Sequence, residues 1–260
     1  MQPRPRISVI IPTFNSGMFL REAVVSVLEQ RGAGVEVIVV DDASTDGGIE
    51  TLTHLERVTI VRLPHNQGAA AAQNIGLRIA SGEWITFLDS DDRMAENSLG
   101  WRLDWIQTRP KYPVVGGMAA GILDDRGIVV DDFLHKNDVS VPERLTQQFY
   151  SSGKHYPVAS WLYLFRKDLV DAVGPFDESL RIAYDFDFLL RVLDKTDIPM
   201  VPKATVYRRI HAANISVTRD WEGLHLRSDT IEECRRVLLP RGIAPPAEWV
   251  PWETGGQRVG

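Results

Sequence analysis

The sequence contains a single cysteine, Cys234, among 260 residues. One thiol can form neither an intramolecular disulfide nor a cysteine-rich zinc site, so both are excluded. Long apolar runs are also absent, because no segment approaches the roughly 18 apolar residues that span a bilayer. The apolar run at residues 7–11, which ends at Pro12, is shorter than the about 7–15 residues of a signal-peptide core. We therefore expect a reducing, cytoplasmic location, with peripheral attachment to the inner face of a membrane left open.

Basic residues are not in excess either. Lys and Arg number 29 against 35 Asp and Glu, which gives a formal net charge of −6 at pH 7. A general nucleic-acid-binding protein usually carries a net positive field, so we expect no nucleic-acid partner. Hydrophobic residues make up 44% and charged residues 25% of the chain, as in an ordinary globular protein.

The first half of the sequence alternates predicted strands and helices. Apolar, β-branched runs predict strands buried on both faces at residues 7–11, 35–40 and 84–88. This alternation predicts an α/β fold with a doubly wound, mostly parallel sheet. Ligands bind such sheets beyond the carboxyl ends of the strands. Three polar loops follow these strands, at residues 12–16, 41–46 and 89–92, and we expect them to converge on one site.

The second half is less regular. Residues 159–165 are predicted to form a strand, residues 186–193 a helix with an apolar face, and residues 231–238 an amphipathic helix. A tail rich in Pro and Gly follows, with Trp249 and Trp252. These tryptophans are expected either to pack on the domain or to contact an acceptor or a membrane surface.

Asp89, Asp91 and Asp92 follow directly after a predicted buried strand, with Ser90 among them. Neighbouring carboxylates repel one another, and a folded site tolerates them more readily when a divalent cation binds. Ligand sets made only of oxygen favour Mg²⁺ or Mn²⁺ over zinc. The alternative is that the aspartates lie at the N-terminus of the next helix, where negative charge is favourable. Taken alone, the cluster leaves both interpretations open.

A series of five motifs closely resembles the family-two glycosyltransferases. In order along the chain these are SVIIPTFN at 8–15, VVDDASTD at 39–46, NQG at 66–68, NIG at 74–76 and FLDSDD at 87–92. The family consists of inverting enzymes with a GT-A fold that use nucleotide-diphosphate sugars. The resemblance covers roughly residues 6–215. It implies a Rossmann-like nucleotide-binding half at 1–115, a smaller acceptor-side half at 116–220, and a C-terminal helix and tail at 221–260.

The resemblance also implies roles for individual residues of the first half. The loop after the first strand borders the nucleobase, on which Phe14 can stack, and Asp42 accepts the uracil N–H. Turn chemistry is the alternative for Asp41 and Asp42. Asp91 is the implied metal ligand, and Asp89 supports the metal and touches the ribose. The full implied nucleotide-binding set is Pro12, Thr13, Phe14, Asn15, Asp41, Asp42, Asn74, Asp89 and Ser90.

Three further motifs of the second half match the family. They are GPFDE at 174–178, YDFDFLLR at 184–191 and YRRIHAANIS at 207–216. The second motif places Asp185 at the catalytic base position, beside Tyr184 where the family usually has Glu. The third implies closure over the diphosphate, with Arg208 supplying charge and His211 near the metal or the phosphate.

Plainer roles stay open for some of these residues. Asp185 could serve only as a helix cap, His211 could be structural, and Asp187 and Arg191 are expected to form an i,i+4 ion pair. Gln73 stands where many members of the resembled family carry Arg, which is a departure from the family pattern.

The resemblance implies a metal-dependent glycosyltransferase of hexosyltransferase type, with Mn²⁺ or Mg²⁺ as cofactor. Its partners would be a nucleotide-diphosphate sugar, with a UDP-sugar favoured, and a glycan or glycolipid acceptor, as in surface polysaccharide synthesis. The alternatives are a catalytically silent sugar-nucleotide-binding module, a nucleotidyltransferase and a signalling receiver domain. A nucleotidyltransferase should carry a Gly-rich basic loop after the first strand, which residues 12–15 do not provide. A receiver domain would leave Asp185 and His211 unexplained. Donor sugar, acceptor identity and oligomeric state are not predicted.

Overall fold

The first half of the chain forms a parallel sheet. The computed structural model describes residues 6–32, 34–132, 144–146, 160–212, 214, 217–220, 223–226 and 228–243. The strands of this half are β1 (Ile7–Thr13), β2 (Val35–Asp41), β3 (Val58–Arg62), β4 (Trp84–Phe87) and β5 (Arg93–Met94). β1 lies between β2 and β4, and β3 pairs with β2, all in parallel. The predicted α/β class with a parallel, Rossmann-like first half is confirmed.

Helices pack on this sheet through apolar faces. They are α1 (Met18–Leu28), α2 (Ala69–Ile79) and α3 (Ser98–Gln107). In α1 the buried positions Leu20, Ala23, Val24 and Val27 recur at spacings of three and four, which places them on one face. α2 lies so close to β1 that a Cβ at Gly76 would stand 2.4 Å from Cγ2 of Ile10. Glycine permits this approach.

The second half extends the same sheet. Its strands are β6 (Val114–Leu123), β7 (Val129–Asp132), β8 (Arg144–Leu145), β9 (Tyr163–Arg166) and β10 (Ile198–Arg209). β9 pairs antiparallel with both β4 and β6, so it joins the two halves. β10 runs parallel to β6 and antiparallel to β5. The main strand order is β3-β2-β1-β4-β9-β6-β10-β5, and a separate hairpin pairs β11 (Val217–Asp220) with β12 (Gly223–Leu226).

The remaining helices are α4 (Lys167–Val173), α5 (Tyr184–Leu193) and α6 (Ser228–Leu238). An aromatic cluster packs α5 against the sheet, with Phe176 contacting Phe87 and Phe188 at ring distances of 5.2 and 4.5 Å. The helix predicted at 231–238 is confirmed and begins three residues earlier. The tail that carries Trp249 and Trp252 lies outside the described residues.

One predicted strand differs from the structure. Residues 159–165 were expected to be extended, but Ser160–Leu162 form a 3₁₀ turn before β9 begins at Tyr163. The apolar run Trp161–Phe165 is buried in either geometry, and hydrophobic pattern alone does not separate them. Within the described part of the chain, every helix is too short or too polar to cross a membrane.

Candidate active site

The three polar loops that follow β1, β2 and β4 meet at one edge of the sheet. The Asn15 backbone N–H donates to Ser44 Oγ at 2.9 Å, and Asn15 Oδ1 accepts from the Thr45 N–H at 2.9 Å. The hydroxyls of Ser16 and Ser90 lie 2.5 Å apart, which connects the first loop to the acidic loop. The predicted convergence is therefore confirmed, because parallel strands deliver their carboxyl ends to the same side.

The loop after β2 borders an open cavity of about 390 Å³. Its lining residues are Asp41, Ala43, Ser44, Thr45, Gly47, Glu50, Arg62 and Leu63. Asp41 Oδ1 accepts from the Ser44 N–H at 2.9 Å, and Asp41 Oδ2 accepts from Arg62 Nε at 3.2 Å. Phe14 is 50% exposed, which leaves its ring free to stack on a planar ligand, whereas Pro12 and Thr13 are buried at the end of β1.

Asp42 and Asn74 of the predicted nucleotide set bind backbone groups of other segments. The buried Asp42 carboxylate accepts the N–H groups of Gln67 and Gly68 at 2.7 and 2.8 Å, and these lead into α2. The Asn74 amide binds both the N–H and the carbonyl of Phe176, and its Nδ2 also donates to Glu178 at 2.8 Å. These contacts account for both side chains without a ligand, so their nucleotide-binding roles stay predictions.

The acidic loop after β4 brings three carboxylates together. One oxygen each of Asp89, Asp91 and Asp92 lies within 4.8 Å of the others. Burial, and then the charge of Asp91, raises the pKa of Asp89 to about 7, and the same two causes raise the pKa of Asp92 well above its usual range. Asp92 Oδ2 is buried and has no hydrogen-bond partner among the described atoms. This concentrated negative charge with an unpaired buried oxygen fits a divalent cation bound by oxygen ligands.

The end of β10 and the residues after it lie beside the acidic loop. His211 Nε2 lies 2.8 Å from Asp91 Oδ2, so the side chain lies beside the acidic loop, and its role at a metal site stays a prediction. Asn214 Nδ2 also donates to Asp91 Oδ2, at 3.3 Å. The positive charge of Arg208 opposes the rise in the pKa of Asp89, which places this side chain at the same site. A single histidine in a sequence usually has a structural role. His211, by contrast, contacts Asp91, which is a candidate metal ligand.

Asp185 lies in the first turn of α5, inside the helix and not at its cap. Its Oδ1 accepts from the Phe186 N–H at 2.8 Å, and its carboxylate also accepts from the backbone N–H of Ser160. Burial, and then the charge of Asp89, raises the pKa of Asp185 to about 7. Asp185 is thus close enough to the acidic loop to sense its charge, although the two lie in different halves of the chain.

Tyr184, which precedes Asp185, is buried, and its ring packs edge-on against Phe176 at 5.7 Å. Burial, followed by the charges of Asp89, Asp185 and Asp91, raises the pKa of the Tyr184 phenol above its usual range. Tyr184 is therefore a neutral wall of the site at neutral pH. The predicted ion pair one turn further along is confirmed, since Arg191 Nε lies 2.7 Å from Asp187 Oδ2.

Sequence reasoning missed several residues of this site. Trp161 donates a side-chain hydrogen bond to Asp89, and Arg209 is wholly buried behind the acidic loop with its Nε on the Asp91 carbonyl at 2.8 Å. Ser160 and Trp161 were missed because residues 159–165 were predicted to form a strand, whereas Ser160–Leu162 form a 3₁₀ turn.

Gln73 is wholly buried, and its amide has no hydrogen-bond partner among the described atoms.

The comparison of the sequence with known protein families identifies the family of this chain. The sequence model described as "Glycosyl transferase family 2" matches residues 8–174. This chain belongs to that family. The match ends before Asp185, Arg208 and His211, so the roles of these three residues in this family-2 member rest on the geometry above and remain proposals.

Curated relatives are named as glycosyltransferases. An uncharacterised glycosyltransferase of Haemophilus influenzae is 42% identical over 106 residues, or 39% of this chain and 42% of that protein. A protein of Bacillus subtilis named as a putative teichuronic acid biosynthesis glycosyltransferase, TuaG, is 35% identical over 147 residues, or 55% of this chain and 56% of that protein. The chain thus matches about half the length of these relatives.

Solved structures share the fold. S. aureus TarS 1-349, in complex with UDP-GlcNAc, superposes with a TM-score of 0.66 at 23% identity over 90% of this chain and 66% of that chain. A mannosyltransferase of Pyrobaculum calidifontis, in complex with GDP-Man and Mn²⁺, gives 0.60 at 24% identity over 82% of this chain and 59% of that chain. The expected GT-A fold is confirmed by these likenesses and by the family match.

Proposed function

We propose that this chain is a metal-dependent inverting glycosyltransferase that moves one sugar from a UDP-sugar to a hydroxyl group of a glycan or glycolipid. The observation that carries the proposal is the nearness of Asp185 to the acidic loop. Burial, and then the charge of Asp89, raises the pKa of Asp185, so a candidate base lies near a candidate cation site. These two groups suit inverting transfer, because a base assists the hydroxyl that attacks one face of the anomeric carbon and a cation stabilises the diphosphate that departs from the opposite face.

Asp185 is the proposed general base. The acceptor hydroxyl gives its proton to the Asp185 carboxylate while its oxygen forms a bond to the anomeric carbon. The bond from that carbon to the diphosphate oxygen breaks with its electron pair, and the nucleoside diphosphate departs from the opposite face. The raised pKa of about 7 suits a group that must accept a proton near neutral pH and release it afterwards.

Asp89, Asp91 and Asp92 would hold Mn²⁺ or Mg²⁺ together with the diphosphate. A cation bound there supplies positive charge that stabilises the departing diphosphate. His211 orients the Asp91 carboxylate through their 2.8 Å contact, and Arg208 adds positive charge beside Asp89. These residues keep the anionic donor and the anionic loop from repelling each other.

The donor side is assigned to residues 1–115 and the acceptor side to residues 116–220. Phe14, Asn15, Asp41 and Ser90 lie in the converging loops, which suits them to contact the nucleotide, and Pro12 and Thr13 support that edge from β1. The complexes of TarS with UDP-GlcNAc and of the mannosyltransferase with GDP-Man support a nucleotide-sugar donor. The name of the B. subtilis relative supports a cell-surface glycan as acceptor. Such an acceptor fits a cytoplasmic enzyme that works at the inner face of the membrane.

Calorimetric titration with UDP tests the metal site. Binding should weaken strongly when Mn²⁺ is chelated and when Asp91 is changed to Asn, because two phosphates and the carboxylates need a cation between them. Asp104→Asn, which removes an exposed carboxylate on α3, is the matched control and should bind UDP as the wild type does. If neither the chelator nor Asp91→Asn changes the affinity for UDP, the proposal that a metal ion binds the diphosphate is refuted.

A screen for slow donor hydrolysis tests the activity. UDP-, GDP- and dTDP-sugars are incubated with the chain and Mn²⁺, and release of the nucleoside diphosphate is measured. We expect release from at least one UDP-sugar, since water can replace the acceptor hydroxyl. Tight UDP binding without turnover of any donor would instead support the catalytically silent binding module.

A further inference from the structure

We propose that Glu233, on the C-terminal helix α6, is a positioning residue that holds Asp185 in place for proton transfer. The inference rests on the proposed function, because it assigns a role relative to the proposed base. Glu233 lies beyond the residues matched by the family model, and about 50 positions along the chain from the segment that it contacts.

The carboxylate of Glu233 accepts three consecutive backbone N–H groups. Oε1 accepts from Arg181 at 3.2 Å, and Oε2 accepts from Ile182 at 2.7 Å and from Ala183 at 3.0 Å. Hydrogen bonds to a charged acceptor are roughly twice as strong as neutral ones. These three residues lead directly into α5, so one side chain sets the conformation of the segment that enters the helix.

The N-cap residue of α5 has no acceptor side chain. Ala183 occupies the N-cap position, and no side-chain hydrogen bond caps the helix there. Helices usually begin with Ser, Thr, Asp or Asn, whose side chains bind the first free N–H groups. Glu233 supplies negative charge at this positive helix end from another helix. Asp185 is only two residues beyond Ala183, so its carboxylate moves with the segment that Glu233 holds.

A second contact holds the same helix further along. Arg241, in the turn that follows α6, lies 3.6 Å from Asp187 Oδ1 and 3.1 Å from Asp194 Oδ2. Between the two contacts, α6 buries Cys234, Val237 and Leu238. Burial, and then the charge of Asp185, raises the pKa of the Cys234 thiol to about 12. Glu233 of α6 therefore contacts the segment before α5, and Arg241 of the turn after α6 contacts Asp187 and Asp194.

This arrangement predicts a defect in catalysis with little change in donor binding. Displacing a catalytic group by about 1 Å can lower a rate about 100-fold, because the reacting atoms leave their productive alignment. The hydrogen bonds described for Glu233 go to residues 181–183 and not to the three converging loops, so UDP binding should not depend on Glu233. A residue needed only for folding would not separate these two quantities.

The experiment compares Glu233→Ala and Glu233→Gln with Glu232→Gln, which removes an exposed carboxylate from the adjacent position of the same helix. The readouts are kcat for hydrolysis of the donor that the wild type turns over fastest, the Kd for UDP with Mn²⁺, and the melting temperature. We expect Glu233→Ala to lower kcat by about 10- to 100-fold with the Kd within about twofold. Glu233→Gln should lose less, because its remaining oxygen can still accept from Ile182 and Ala183. Glu232→Gln should match the wild type.

Hydrogen exchange of the amides at 181–183 gives a readout that needs no turnover, and it should be faster in both Glu233 variants. A wild-type kcat in Glu233→Ala and Glu233→Gln would overturn the positioning role. A parallel loss of kcat, UDP affinity and melting temperature in Glu233→Gln would overturn it as well, since it would show a purely structural residue. A wild-type chain that hydrolyses no donor refutes the proposed function, and this is seen before any variant is compared.

Discussion

Carboxyl groups in this protein acquire different proton affinities from their surroundings. Burial and neighbouring negative charge raise the pKa of Asp89 and of Asp185 to about 7. Asp124, in the β6–β7 turn, accepts hydrogen bonds from the N–H groups of Ile128 and Arg126, and these lower its pKa. An aspartate can therefore accept a proton near neutral pH at the positions of Asp89 and Asp185, whereas Asp124 stays ionised there.

The first residue-scale prediction concerns the base. Asp185→Asn keeps the shape of the side chain but cannot accept a proton, so transfer or donor hydrolysis should slow by about two to four orders of magnitude. The Kd for UDP with Mn²⁺ should change little, because the base faces the acceptor. Asp187→Asn, one turn along the same helix and paired with Arg191, serves as the comparison. If Asp185→Asn turns over at the wild-type rate, the base is misassigned and Asp187 becomes the next candidate.

The pH dependence of kcat is the second prediction at this scale. Asp185 can act as a base only when its carboxyl group is deprotonated, so kcat should rise with pH and then level off. Because the pKa of Asp185 is raised, activity should be lost at a higher pH than for an ordinary aspartate. The midpoint should lie above the ordinary aspartate value of 3.8 and not above about 7, because a bound cation offsets the charge of Asp89. The residual rate of Asp185→Asn should show no such rise. A wild-type profile flat from pH 4 to pH 8, roughly the range in which the group titrates, would contradict the assignment.

At the scale of elements, α2 joins the two halves of the chain. Gln67 and Gly68, which precede the N-terminus of α2, donate their N–H groups to Asp42. Asn74, in the middle of α2, binds the backbone of Phe176 in the second half. Gly76 lets the helix lie against Ile10 of β1. The helix therefore depends on close packing with elements that are distant in sequence.

Gly76→Ala tests this packing. The new methyl group would stand 2.4 Å from Cγ2 of Ile10, so the Ile10 side chain or α2 must shift, and overpacking of this kind lowers the free energy of unfolding by about 1–3 kcal/mol. Arg78→Ala, at an exposed position of the same helix, should shift stability by about 0.5 kcal/mol or less. Denaturant unfolding of both variants measures the difference. Equal stability of Gly76→Ala and the wild type would show that the helix can move without cost.

At the scale of the whole molecule, Arg209 connects four separate parts of the chain. Its wholly buried guanidinium donates to the carbonyl oxygens of Asp91 and Asp124 and, at 2.6 Å, to Glu22 Oε2 of α1. The backbone N–H of Arg209 donates to Asp92 Oδ1. It also stacks over the ring of Phe19 at 4.5 Å. The acidic loop, the β6–β7 turn, α1 and β10 are thus held by one side chain.

Arg209→Met should therefore lower the free energy of unfolding by about 2–4 kcal/mol, because buried acceptors lose a charged donor. It should also weaken UDP binding with Mn²⁺, since the Asp91 backbone loses its support. Arg126→Met removes an exposed arginine that pairs with Asp124 and should have an effect below about 1 kcal/mol. Chemical denaturation and calorimetry on the two variants supply the comparison. Loss of stability in Arg126→Met equal to that in Arg209→Met would contradict a special role for the buried guanidinium.

The sequence by itself determined the elements of the first half and the loops that carry the candidate site. Buried β-branched runs and helical periodicity are local patterns, and parallel strands must deliver the loops after β1, β2 and β4 to one edge. The acidic cluster and the position of Asp185 could be named in advance for the same reason, since both belong to short contiguous motifs.

Only the tertiary structure decided which side chains support those motifs. The amphipathic pattern of α6 predicts an apolar face, but it does not say which helix that face meets, and so it cannot place Glu233 at the start of α5. The contacts of Arg209 with Glu22 and of Asn74 with Phe176 join residues more than 100 positions apart. Such contacts are set by how the elements pack together, which periodicity along the chain does not encode.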